Sequence, residues 1–230
     1  KTGLGKRIAY NLIAAFGSSS LRLAYALALS DLILAPATPS NTARVGGVIM
    51  PITTSLAKAF GSEPQDGPRK IGSFLMQSIY QVNTITSAMF QTSMAGNTLV
   101  AALALQSFGI GITWGDWAMA AIVPGIIALI IMPYFIYKVY PPEIKDAREA
   151  QQMIKEELKG LGKMSFQEWV MLGVFILALI LWATSQFTKI DATTVAFLGI
   201  SILLATSVLV WDDVKSEKGA WDTLVWMGTL

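Results

Sequence analysis

From Ala118 to Tyr137 the sequence runs for twenty residues without a charged side chain, before Lys138 closes the run. About twenty apolar residues are what an α-helix needs to cross the hydrocarbon core of a bilayer. Pro124 and Pro133 lie inside the stretch, and helices in lipid tolerate proline better than helices in water. Trp114 and Trp117 before it, and Tyr134, Tyr137 and Tyr140 near its end, read as the aromatic belts of the two interfaces. Lipid offers no partner to a free N–H or C=O, so only helices or closed barrels can span it. Spans of this length and apolarity make the chain an all-α integral membrane protein.

Composition agrees. The chain is 53% hydrophobic and 14% charged, against about 25% charged in soluble domains. A formal net charge of +2 with no basic stripe gives no reason to expect nucleic acid. Cysteine and histidine are both absent. Disulfides, thiolate chemistry, imidazole bases and most zinc sites are thereby excluded. An intramembrane enzyme would need a Ser-Lys or paired-Asp device, and the spans hold no convincing pair.

Residues 1–20 are basic and amphipathic, with Lys1, Lys6 and Arg7, and read as a helix end at the membrane surface. Residues 21–60 hold two apolar arms of about 16 residues each, shorter than a comfortable span. Between them lies a polar tip, 36–44, with two prolines and Ser40, Asn41, Thr42 and Arg44. Short arms around such a tip predict a re-entrant helical hairpin, because irregular backbone at membrane depth survives only against protein or water. Two ordinary spans with an external loop are the alternative. Residues 71–110 are too long for one straight span, and Gln91 to Thr98 interrupt them, so a broken transmembrane helix is expected. Helix packing through small polar residues would explain the same interruption. A span over 116–138 follows, then a charged surface helix over 141–163. Two further spans lie near 168–187 and 192–210. A short charged loop, Asp212 to Lys218, leads to a last span from Trp221, so that 166–230 form a set of scaffold helices. The basic loops fall on one side, with only Lys189 opposite, which predicts that side to be cytoplasmic. The start at Lys1 and the stop at Leu230 within an apolar run are expected to be cuts in a longer protein.

Ser40, Asn41 and Thr42 carry the chemistry expected of the tip. An anion needs N–H and O–H donors, and helix N-termini supply both donors and partial positive charge. A cation needs hydroxyl, amide and carbonyl oxygens, which a helix end also leaves free. Discontinuous helices in transporters use this arrangement. The same three residues are good N-caps for a helix starting at Ala43. Arg44 is costly in hydrocarbon and is expected to pair, with Asp31 the nearest partner in sequence. Both are read as structural or gating charges. The second interruption adds Thr92, Ser93, Gly96 and Asn97 as possible ligands of a sodium ion together with Ser40 and Asn41.

The stretch Leu34-Ala35-Pro36-Ala37-Thr38-Pro39-Ser40-Asn41-Thr42-Ala43-Arg44-Val45-Gly46-Gly47 resembles the first signature loop of the divalent anion/sodium symporter family. The branch it resembles holds plastid 2-oxoglutarate/malate translocators and bacterial citrate or dicarboxylate carriers. Ala88 to Asn97, Ile112 to Trp117, Pro133-Tyr134 and Tyr140 to Glu143 match in the same order. The resemblance implies an inverted-repeat, dimeric, elevator-type carrier, of which this chain holds the latter part of the first repeat and the start of the second. It implies that Asn41 and Thr42 contact a substrate carboxylate and that Ser40 and Asn41 serve a sodium site. The implied partners are a di- or tricarboxylate such as malate, 2-oxoglutarate, succinate or citrate, the second repeat, a second copy and the bilayer. No cofactor is implied beyond a possible sodium ion. The implied location is a bacterial inner membrane or a plastid inner envelope. Sodium-coupled relatives can carry a serine four residues before the tip serine. Here that position is Pro36, which favours exchange of one dicarboxylate for another over symport. Transport of another anion such as sulfate, cation antiport centred on Asp31, and a purely structural role are the alternatives.

Overall fold

The computed structural model describes residues 2–221 and Val225. Among the described residues every regular element is helical, and the one β-type contact is an isolated antiparallel bridge between Ser19 and Asp146. The expected span from Trp221 lies almost wholly outside the described residues.

Helix α1 (Leu4–Phe16) buries Leu4, Ala9, Tyr10 and Ile13 on one face. Ser19 then caps α2 (Ser20–Leu34), its hydroxyl accepting from the Arg22 N–H. A 3-10 turn, Ala35–Ala37, extends α2 to the tip. The return arm is one continuous helix with a flaw in it. It starts as α3 (Asn41–Arg44), passes through a π-helical turn at Val45–Ile49, and continues as α4 (Met50–Ala59). The hairpin therefore has two helical arms, 20–37 and 41–59, each longer than the roughly 16 residues expected, and the first is long enough to cross a membrane.

Helix α5 (Gly72–Met89), a 3-10 turn at Gln91–Ser93 and α6 (Ala95–Phe108) form the broken helix. Phe90 and Met94 on either side of the turn are extended, so the chain leaves helical geometry at both ends of the break. Gly109, at φ 69°, ends α6 in the left-handed conformation that favours glycine.

Helix α7 (Trp114–Val139) is started by a capping box between Thr113 and Asp116. Then come α8 (Arg148–Gly160), α9 (Phe166–Ala183), the short α10 (Ser185–Thr188), α11 (Ala192–Ala205) and α12 (Trp211–Ser216). The charged segment after residue 211 is thus helical rather than the loop expected. Asp212 and Asp213 lie in its first turn, where acidic groups favour a helix start.

Three helical stretches are long and apolar enough to cross a membrane: Ser20–Ala37, Trp114–Val139 and Phe166–Ala183. In each of the last two, only 22% of the most apolar 18-residue window is buried against the rest of this chain. Neither half of the broken helix is in this set. Helix α5 carries Ser, Gln, Asn and Thr side chains, and Ser78, Thr86 and Ser87 are buried against other helices rather than lipid.

The main core lies where α1, α2, α4 and α5 converge: Ile13, Leu23, Leu27, Leu56, Phe74 and Leu75 are fully enclosed. The apolar face of α8, Ala150 and Ile154, closes it. The surface helix is shorter than expected, because residues 143–147 form an extended strap. Its backbone bonds to two loops: Glu143 and Ile144 N–H reach Arg69 and Lys70 carbonyls at 3.0 and 2.9 Å. Ser20 N–H reaches Lys145 O, and Ala147 N–H reaches Ser18 O. Proline at 141 and 142 disfavours a helix there.

Helices α9 and α11 pack as a pair against this body. One polar tie holds them at each end. Arg7 of α1 forks onto Glu168 at the start of α9, at 2.6 and 3.1 Å, and its remaining N–H groups meet the Leu161, Gly162 and Lys163 carbonyls. At the far end Gln186 Nε2 donates to Asp116 at 2.7 Å.

Candidate functional site

The hairpin tip and the helix break meet. Pro39 restricts the preceding residue to extended backbone, and Thr38 is extended accordingly, at φ −118° and ψ 98°. Ser40 is also extended and is the N-cap of the return arm, its hydroxyl accepting from the Ala43 N–H at 3.2 Å. The helix starts at Asn41, two residues before the expected start. Asn41 Oδ1 accepts from the Thr42 N–H at 2.9 Å and the Thr42 hydroxyl at 3.4 Å. Every side-chain hydrogen bond of Ser40, Asn41 and Thr42 therefore stays within the tip, and the Asn41 amide N–H groups donate to nothing among the described residues. Thr42 is exposed; Ser40 and Asn41 are half-buried.

Arg44, one turn on, is the opposite case. It is 1% exposed, and all five guanidinium N–H donors find oxygen. Nε donates to Asp31 Oδ1 at 2.8 Å. Nη1 reaches the Thr38 carbonyl at 3.2 Å and the Ser93 carbonyl at 3.3 Å. Nη2 reaches Thr86 Oγ1 at 3.3 Å and Ser87 Oγ at 3.0 Å. Asp31 is completed by the Thr86 hydroxyl and, at 3.4 Å, by Asn83 Nδ2. One side chain thus binds the first arm, the tip, the end of α5 and the break together. The expected Arg44–Asp31 pair forms. Its partners Asn83, Thr86 and Ser87, at three- and four-residue spacing on one helix face, are site residues that the sequence reading passed over, although that spacing was visible.

The break is held by its own polar side chains. Ser93 Oγ lies 2.7 Å from each of two carbonyls of the preceding turn, Ser87 and Phe90, which share its one proton. Asn97 Nδ2 bridges the same two carbonyls at 2.7 and 2.9 Å. Thr92 Oγ1 donates to Pro36 O at 2.6 Å and accepts from the Trp114 indole N–H at 3.0 Å. Gly96 is half-buried beside Met94. Of the possible sodium ligands, Thr92, Ser93 and Asn97 are therefore engaged in tying the break, while Ser40 and Asn41 accept from the Ala43 and Thr42 backbone N–H groups of the tip.

Trp114 was expected in an interface belt. It is instead buried, 8% exposed, stacked between Phe90 and Trp182. Trp117 lies in the first turn of α7, with its indole N–H on the Ala88 carbonyl at 2.9 Å. No spacing rule separates a belt tryptophan from a buried one at the start of a helix.

Between the site and the α9–α11 pair lies a cleft of about 360 Å³. Pro36, Ala37, Pro39, Thr92, Met94 and Ala95 form one wall; Met171, Phe175, Trp182 and Leu203 form part of the other. Among the described residues no group of acidic side chains is arranged to hold a metal ion. The site offers hydrogen-bond donors, one helix N-terminus and a buried guanidinium paired with a carboxylate.

The comparisons with known proteins agree. The model of the sodium:sulfate symporter transmembrane region matches residues 1–230. A putative malate transporter of Bacillus subtilis, YflS, is 53% identical over the whole chain, which spans 48% of that protein. Spinach chloroplastic dicarboxylate transporter 1 is 46% identical, again over the whole chain and 41% of its own length. An L-tartrate/succinate antiporter of Escherichia coli is 37% identical over the whole chain and 47% of its length. The chain spans about half the length of the curated relatives it matches. These relatives are named as transporters, not enzymes, and they include both bacterial and chloroplastic proteins. The motif resemblance is borne out: this all-α membrane chain belongs to the sodium:sulfate symporter transmembrane family, the divalent anion/sodium symporters.

Proposed function

We propose that the protein to which this chain belongs is a secondary carrier of small dicarboxylates, working by exchange, and that the tip Ser40-Asn41-Thr42 holds one substrate carboxylate. The observation that carries this reading is the contrast in hydrogen bonding. Neighbouring polar side chains at Arg44, Thr92, Ser93 and Asn97 are bonded to fixed protein groups. Among the described residues the Asn41 amide N–H groups have no acceptor and the Thr42 hydroxyl has none beyond Asn41, both at a helix N-terminus, and such an end favours an anion. The names of the malate, dicarboxylate and tartrate/succinate relatives support the substrate class.

Exchange is favoured over sodium symport by two features. Pro36 carries no hydroxyl. Arg44 already places a fixed cation against the tip and break carbonyls of Thr38 and Ser93, oxygens of the kind a sodium ion would use. A sodium-coupled carrier of dicarboxylate or sulfate is the second reading, and the family's description as a sodium:sulfate symporter favours it. In either case the hairpin is re-entrant, a second repeat supplies the other half of the site, and the loaded body moves elevator-fashion within a homodimer. A bacterial inner membrane is the proposed location.

The test uses the full-length protein in liposomes loaded with unlabelled malate, following entry of labelled dicarboxylate. Exchange predicts uptake that needs internal malate, ignores a sodium gradient and falls at least tenfold in an Asn41→Ala, Thr42→Ala variant, as expected for two lost charge-assisted bonds of about 1.5 kcal/mol or more each. Uptake that needs sodium and not malate selects the symport reading. A folded protein that moves no dicarboxylate removes the substrate class.

A further inference from the structure

We infer that Trp114 is a positioning residue for the carboxylate tip, acting through Thr92. This rests on the tip being the substrate site. A short chain of hydrogen bonds crosses from the start of α7 to the hairpin. The Trp114 indole N–H donates to Thr92 Oγ1 at 3.0 Å, and the Thr92 hydroxyl donates to the Pro36 carbonyl at 2.6 Å. Pro36 lies in the last turn of the first arm, where helix carbonyls have no helical partner. Thr92 supplies that partner from the helix break.

A threonine hydroxyl has one proton, and it can point several ways. The indole donor fixes the choice: with an N–H arriving at the oxygen, the proton goes to Pro36. Trp114 itself cannot drift. It is stacked on Phe90 at 5.7 Å and on Trp182 at 6.2 Å, with 16° between the ring planes in each pair. Trp182 belongs to α9, across the cleft. The seat of the tip is therefore referred, through one aromatic stack, to the helix pair on the far wall.

A tip seated for only part of the time binds with an affinity reduced by that fraction. Loss of the indole donor should thus appear in KM more than in the rate at saturation. In the full-length protein, Trp114→Phe keeps a stacked ring and removes the N–H. Its KM for dicarboxylate should rise roughly three- to tenfold, the range for one net hydrogen bond, with a smaller fall in saturated rate. Thr92→Val should shift KM the same way and further, and Thr92→Ser, which keeps the hydroxyl, should recover most of the loss.

A second readout is independent of transport. Ala35 shares the 3-10 turn of Pro36 and is fully buried. In an Ala35→Cys background, thiol labelling should be several-fold faster with Trp114→Phe or Thr92→Val than with Thr92→Ser. Faster labelling supports the inference even if the parent moves no dicarboxylate, in which case the function proposed above fails alone. If Trp114→Phe does not insert, the Thr92 pair decides. Unchanged KM with unchanged labelling in Trp114→Phe, or in Thr92→Val where that variant stands alone, overturns the positioning role.

Discussion

Arg44 and Asp31 have side chains 0% and 3% exposed, so neither charge can fall back on water if its partner is removed. Breaking one side of a buried ion pair costs about 3–5 kcal/mol, whereas replacing both sides with apolar groups is often near neutral. Arg44→Met or Asp31→Leu alone should therefore lower thermal stability in detergent by about 3 kcal/mol or more, and the double variant should recover much of it. Transport by the double variant should stay impaired, because Thr38 and Ser93 would lose the donor that joins tip to break. Equal stability losses in single and double variants would contradict this account. The pairing was legible in the sequence, since two opposite charges in apolar arms had few other options. The fivefold engagement was not, because carbonyls leave no mark in a sequence. Trp114 shows the same limit: indole burial is decided by how α7 meets the break and α9.

At the scale of elements, helix positions followed the apolar pattern closely, and the two breaks fell where polar residues interrupted it. The strap 143–147 did not, since its hydrogen bonds go to loops far away in sequence. Its last acidic residue offers a local test. Asp146 accepts from the Arg148 N–H at 3.0 Å and from Arg148 Nε, and so caps the start of α8. The bond to the Arg148 guanidinium, followed by that to its backbone N–H, holds the Asp146 carboxyl below its ordinary range. A lowered folded pKa means the contribution is complete above the ordinary aspartate value of about 3.9 and is lost as pH falls through the folded value. The hydrogen-exchange protection factor of the Arg148 amide should fall on acidification through that window. An Asp146→Asn variant should flatten the profile, and a profile that survives the substitution would rule Asp146 out as its cause.

On the scale of the whole molecule, the α9–α11 pair meets the site body through a largely apolar cleft closed by a polar tie at either end, Arg7–Glu168 and Asp116–Gln186. The ties sit on opposite sides of the spans in the proposed orientation, the first with the basic loops and the second beside Lys189. Single cysteines at Lys155 and Lys189, both exposed, should then label from opposite faces of sealed membranes, position 189 from outside. Labelling of both from one face would refute the topology. The charge pattern made this orientation readable from sequence, yet it fits a re-entrant hairpin and two full spans equally well.

The π-helical turn at Val45–Ile49 gives the return arm an unusual property. In an α-helix, residues five apart lie about 140° apart around the axis; a π turn, bonded i→i+5, brings such residues closer to one face. Arg44 and Ile49 consequently share the buried face that continues through Ile52, Thr53 and Leu56. Gly46 and Gly47, within the turn, are exposed, and a Cβ at either would touch nothing within 4 Å. The turn is a phase shifter: it carries one residue more than the α-helical path between the same two anchors. Deleting Gly46 or Gly47 should therefore leave Arg44 aimed at Asp31 and the thermal stability in detergent nearly unchanged, whereas inserting one residue there should swing the guanidinium out of its socket and lower it.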